Sequence, residues 1–247
     1  MKRKDFLHLT GICSIGLFTI PHLALGAVQD RFTLAQLIGK GNPEIIGNSY
    51  RQKMHKQTKA AFLEMKAAAA KDNISIEVVS AYRSFERQKE IFEGKYKRFT
   101  GQGLSPKQAL SKIIEYSTIP GTSRHHWGTD IDIIQANTGA RPSSVLQEKH
   151  FYDNGAFCDM KVWLTKNASS FGFYEVYTKD ENRKGFSHEP WHFSYKPISK
   201  PMLMAYKKLD VKSILQQEKI MGSEHFNDGF IAKYVQEHIL DINPELL

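Results

Sequence analysis

Cysteine is nearly missing from this chain. Cys13 and Cys158 are the only two in 247 residues, so a disulfide framework is excluded. Internal repeats and low-complexity tracts are also missing, which argues against a solenoid or a disordered chain. No dense Lys/Arg stripe and no nucleic-acid-binding motif occur, so the net charge of +8 does not point to DNA or RNA. A long unbroken apolar run is lacking too. The stretch over residues 6–25 is interrupted by His8, Pro21 and His22, which makes a poor membrane span. What remains has the composition of a globular protein, 41% hydrophobic and 24% charged, with enough apolar residues to bury a core unaided.

The first residues read as an export signal. Lys2, Arg3 and Lys4 form a basic start, the apolar stretch follows, and Ala24-Leu25-Gly26 offers small residues for cleavage before Ala27. Arg3-Lys4-Asp5-Phe6-Leu7 looks like a twin-arginine signal with lysine in place of the second arginine, so the export route stays open. Cys13 would leave with the signal, and Cys158 is expected as a small core hydrophobe. The organisation expected is a signal peptide over 1–26, a helical segment over 27–73, a core over 74–197 and a helical C-terminal extension over 198–247. No stable membrane span remains after cleavage. An exported, basic protein suits an anionic polymer outside the cytoplasm.

Helices are expected over residues 32–41, 48–71, 84–99, 105–116 and 159–171, with more beyond Pro197. Strands are expected over 74–80, 128–134, 173–178 and 191–195, and loops over 136–153 and 179–188. Helices and strands are interspersed without regular βαβ alternation. The fold class predicted is α+β, with a small, mostly antiparallel sheet.

Two segments carry candidate chemistry: Ser123-Arg124-His125-His126-Trp127-Gly128-Thr129-Asp130-Ile131-Asp132, and His188-Glu189-Pro190-Trp191-His192. Catalytic zinc takes three imidazole or carboxylate ligands and keeps a fourth position open. His125 precedes a strand, and Asp130 and Asp132 share one of its faces while Ile131 and Ile133 share the other. If the strand of His192 lies alongside, a His-Asp-His site is complete. Glu189, three residues before that histidine, would then stand near the metal as a base without being a ligand. Residue types alone leave this metal site and a plain structural reading equally open.

Ser123-x-His125-x-x-Gly128-x-x-x-Asp132, with Glu189-x-Trp191-His192, resembles the signature of the VanY-type D-alanyl-D-alanine carboxypeptidases. Related LD-carboxypeptidases and DD-dipeptidases belong to the same group. Ser80-Ala81-Tyr82-Arg83-Ser84 followed by Gln88 is similar to a further segment of that family, so the resemblance spans about 74–195. It implies a small α+β domain of the kind also found in the Hedgehog signalling domain. It implies zinc (Zn2+) held by His125, Asp132 and His192, with Glu189 as the catalytic base. Arg83 would hold a substrate carboxylate or the developing oxyanion, and Ser123 and Gln88 would line the cleft. The implied partner is a peptidoglycan stem peptide, and the implied location is the periplasm or cell wall.

The chain departs from the family at Asp130, where alanine is common. A second carboxylate on that face would compete for the metal or raise a neighbour's pKa; Asp132 is kept as the ligand. His126 is expected to support the site or lie at the surface, and Trp191 to pack. The expected reaction is removal of a terminal D-alanine. The alternatives are an endopeptidase, an LD-carboxypeptidase, or a non-catalytic zinc-containing module, against which the presence of Glu189 speaks.

Overall fold

A computed structural model describes residues 31–247; the expected signal peptide and Cys13 lie outside them. The chain opens with a single helical turn, α1 (Leu34–Leu37), closed at its start by a Thr33–Gln36 capping box. It ends early because Gly39 turns left-handed at φ +82°. The helix expected from residue 48 begins only at Lys56. Before it comes an antiparallel ribbon of β1 (Ile45–Ile46) and β2 (Met54–His55). Gly47, at φ +126°, opens the turn between them, and a Cβ there would stand 2.4 Å from the Gln52 carbonyl oxygen. Good helix formers are present, but this turn overrides their propensity. Helix α2 then runs over Lys56–Lys71.

The main sheet has the order β3-β4-β6-β5, with β3 (Ile76–Ser80), β4 (Asp130–Gln135), β5 (Phe173–Glu175) and β6 (His192–Tyr195). Every neighbouring pair is antiparallel, so the α+β class with a small antiparallel sheet holds. Strand β5 is half the length expected. Helix α3 (Phe85–Gly101) follows β3 and is capped by Ser84; α4 (Pro106–Ile114) carries proline in its first turn and a Ser105–Gln108 capping box. Helix α5 (Cys158–Asn167) tightens over 168–171 and stops at left-handed Gly172. Cys158 is only partly buried at the start of α5, not a core residue.

Two apolar clusters flank this framework. One joins Phe62 and Met65 of α2 to Ile76, Ile131, Ile133 and Phe193 of the sheet and to Met160 of α5. The other joins Phe85, Phe92, Leu110 and Ile113 of α3 and α4 to the C-terminal helices α6 (Lys196–Tyr206), α7 (Val211–Gln217) and α8 (Asp228–Tyr234). The C-terminal residues therefore share a core with the helices around the motif. They also hold it by hydrogen bonds. The Tyr206 hydroxyl donates to the Gly121 carbonyl (2.8 Å), while the Tyr234 hydroxyl accepts from Ile119 N–H (3.0 Å) and pairs with Thr122 (2.8 Å). Residues 119–122 lead directly into the motif loop. Phe32–Leu247 form one compact unit. Among the described residues, no helix is long and apolar enough to cross a membrane.

Candidate metal centre and cleft

The register of β4 against β6 decides the site. Asp132 pairs with His192, Ile131 with Phe193, and Asp130 with Ser194. Directly opposed residues share a face, so the apolar pair faces the core and four polar side chains gather on the other side. His125 arrives from a single 3-10 turn (Arg124–Trp127) that ends at Gly128 in the left-handed conformation, φ 68°. Glycine is required there. A Cβ would lie 2.3 Å from Ile45 Cδ1 and 2.7 Å from the His55 nitrogen. Trp127 anchors the turn through Nε1–H to the Leu37 carbonyl at 2.9 Å.

His125, Asp132 and His192 come together as expected. One ligand atom from each lies within 4.8 Å of the others, and all three residues are buried. Their donor atoms follow from the hydrogen bonds around them. His125 Nδ1 is 2.8 Å from the Ala81 carbonyl, which leaves Nε2 facing Asp132 at 3.5 Å. His192 is turned the other way. Its Nε2 meets Asp130 at 2.9 Å, and its Nδ1 faces Glu189 at 2.9 Å and Asp132 at 3.9 Å. Asp132 Oδ1 is buried with no hydrogen-bond partner among the described residues. An unpartnered buried carboxylate oxygen between two imidazoles is costly unless a cation completes it. Two histidines and one carboxylate are also the donor set of catalytic zinc, so the residues fit that metal.

Glu189-Pro190-Trp191-His192 is a turn closed by His192 N–H on the Glu189 carbonyl at 3.0 Å, with proline in the position it favours. It brings the Glu189 carboxylate and the His192 ring together. Burial pulls the His192 imidazole down, but hydrogen bonds to Asp130 and Glu189 outweigh it and carry the ring up to about 10. Burial also lowers His125, to about 4, against a smaller opposing effect of Asp132. Burial would raise Asp130; the charge of Arg124 and the His192 hydrogen bond hold it well below the usual carboxylate range.

The centre opens into a cleft of about 570 Å³, a size suited to a short peptide end. Arg83, Ser123, His125, Asp132, Glu189 and His192 all line it. Gln88 does not. It is fully buried behind Arg83, accepting from Nη1 at 2.8 Å while donating to Ser117 Oγ (3.3 Å) and the Thr118 carbonyl (2.7 Å). Arg83 also donates to Ser80 at 3.3 Å. Burial lowers its pKa, with Asp132 and Glu189 opposing. His126 is fully buried rather than at the surface, with Nδ1 2.6 Å from the Arg83 carbonyl and Nε2 accepting from Gly121 N–H at 3.0 Å. Trp191 packs on Phe151, ring centroids 5.7 Å apart, and also reaches the cleft wall.

Asp130 does not turn to the metal cluster; Arg124, Thr129, Ser194 and His192 occupy it. Arg124 and Ser194 were not foreseen. Ser194 stands two residues after His192 on the same strand face, a spacing that could have found it. Tyr177, whose ring meets His192 edge-on at 5.1 Å, carries no such signal.

An antiparallel sheet presenting two histidines and an aspartate to an open cleft makes this an α+β protein with a candidate metal site on its sheet. The chain belongs to the VanY family, described as D-alanyl-D-alanine carboxypeptidase, whose profile matches residues 51–198. It is 29% identical over 153 residues to a D-alanyl-D-alanine carboxypeptidase of Enterococcus faecalis, covering 62% of this chain and 52% of that one. The chain thus spans about half the length of that curated relative. Among solved structures, VanYB in complex with D-alanine-D-alanine is 25% identical with a TM-score of 0.51, covering 73% of this chain and 92% of that one. A VanB-type D,D-pentapeptidase VanY in complex with Zn(II) shares the fold at 24% identity and a TM-score of 0.50, covering 70% and 90%.

Proposed function

We propose that the protein is a zinc carboxypeptidase that removes a terminal D-alanine from peptidoglycan stem peptides, acting in the periplasm or at the cell wall. The observation that carries this reading is the convergence of His125, Asp132 and His192 with Glu189 and Arg83 in one cleft. Family membership and the D-alanine-D-alanine complex of VanYB support it.

His125, through Nε2, Asp132, and His192, through Nδ1, would hold the metal. When bound, zinc supplies Lewis acidity toward the scissile carbonyl and the attacking water. Glu189 takes a proton from that water as its oxygen adds to the carbonyl carbon. The same carboxyl then hands the proton to the amide nitrogen as the C–N bond breaks, which releases D-alanine and a shortened peptide acid. The Arg83 guanidinium, held by Gln88 and Ser80, binds the free carboxylate of the terminal residue; its two-pronged donor geometry suits that group.

Mass spectrometry of defined muropeptides tests this. A pentapeptide stem should lose one D-alanine, and its C-terminal amide should be cut poorly. Equal cleavage of acid and amide would make the protein an endopeptidase, and cleavage of the tetrapeptide alone would make it an LD-carboxypeptidase.

A further inference from the structure

The Arg124–Asp130 ion pair is buried, its side chains 4% and 0% exposed. Apolar residues of similar volume often stabilise a fold as well as such a pair does, so stability alone does not account for it. A carboxylate has about four acceptor positions, and Asp130 uses them all. Oδ1 accepts from the Thr129 hydroxyl at 2.8 Å and the Ser194 hydroxyl at 2.6 Å. Oδ2 accepts from Arg124 Nε at 2.8 Å and faces His192 Nε2 at 2.9 Å. Arg124 Nη2 donates to Ser194 at 2.8 Å, which closes a ring of three side chains. Of the four groups on Asp130, only His192 belongs to the metal cluster.

We infer that Arg124, Asp130 and Ser194 form a positioning device for His192. They hold a carboxylate against Nε2, stop the ring from flipping and so present Nδ1 to the centre. The inference rests on the reading that His192 ligates the metal. It makes the two histidines unequal, because His125 leans on a neutral backbone carbonyl and His192 on a charged carboxylate that is itself fixed by an arginine. Zinc affinity then depends on a residue that never touches zinc.

The test uses the full chain with Asp130→Asn, Ser194→Ala and the double variant Arg124→Met/Asp130→Ala, which removes both buried charges so that neither is stranded. Zinc affinity is read by competition with a chromophoric chelator. The His192 ring is read by nitrogen-15 NMR of the metal-free chain, with the His125 ring as internal control. We expect affinity to fall about 10- to 100-fold in the double variant and less in the two single variants. The His192 Nε2 proton should lose its protection while the His125 signals stay in place. Unchanged affinity and unchanged His192 signals in the double variant would overturn the inference. If the unsubstituted chain takes up no zinc, the metal reading fails separately. The metal-free ring signals then still decide, because a protected Nε2 proton that depends on Asp130 supports positioning and one that does not overturns it.

Discussion

On the floor of the cleft, His125, Asp132 and His192 stand on two paired strands and a tight turn, with side chains 5–7% exposed. On the rim, Tyr116 is 68% exposed, and further wall comes from loop residues 146–147 and 186–188. The floor is held from below by a sheet register and by hydrogen bonds to backbone and buried carboxylate. The rim is mixed: Tyr116 stands open, whereas Phe186 is buried against Tyr177 and His238, and His188 is tied to Tyr152 at 2.7 Å and to the Tyr177 carbonyl at 2.8 Å. In enzymes generally, groups that need close placement sit on rigid elements, and contacts to variable substrate sit on loops.

Substitutions should separate the two regions. The largest loss is expected on the floor: His125→Ala with His192→Ala should abolish zinc binding and lower turnover by about 10³-fold or more, since two of the three proposed ligands are gone. Metal analysis after dialysis checks this, and full zinc occupancy would remove both residues from the ligand set. Next comes Arg83→Ala. Losing a charge-assisted hydrogen bond costs roughly 1.5–3 kcal/mol, or about 10- to 150-fold in rate, on the free acid. Little further loss is expected on the amide, and that non-additivity ties the arginine to the carboxylate. Gln88→Ala should cost about 3- to 10-fold, because it loosens Arg83 without touching substrate, and equal losses on acid and amide would uncouple it from Arg83. Smallest is Tyr116→Ala on the rim, expected to change KM within about threefold and leave kcat unaltered. A large fall in kcat there would break the contrast between floor and rim.

The floor was legible in the sequence because its chemistry is spaced within short segments. His125 to Asp132 is one turn and half a strand, and Glu189 to His192 is one proline turn, so local geometry already limits where those side chains point. Asp130 was visible as a second carboxylate on the face of Asp132, and the spacing of Ser194 from His192 puts it on the matching face of its own strand, but that the two meet depends on the β4–β6 register, which no single segment reveals. Gln88 was misplaced for the same reason: the pattern marks a helix, not the fact that its buried face backs onto Arg83. The rim was the least legible, because residues near 116, 147 and 187 meet only through tertiary packing. The overextended second helix shows the opposite failure. Propensity continued upstream of Lys56, and a glycine turn with a two-stranded ribbon took those residues instead.

The division of labour on the floor is tested most directly by Glu189→Gln, which keeps the side chain's shape and hydrogen bonding but removes the base. Zinc content and single-turnover hydrolysis of a pentapeptide stem are measured on the same preparation. The expected result is about one zinc per chain, as in the unsubstituted protein, with turnover down about 10²-fold or more. Loss of the metal would make Glu189 a ligand, and near-normal turnover with zinc bound would mean that another group activates the water; either result contradicts the account.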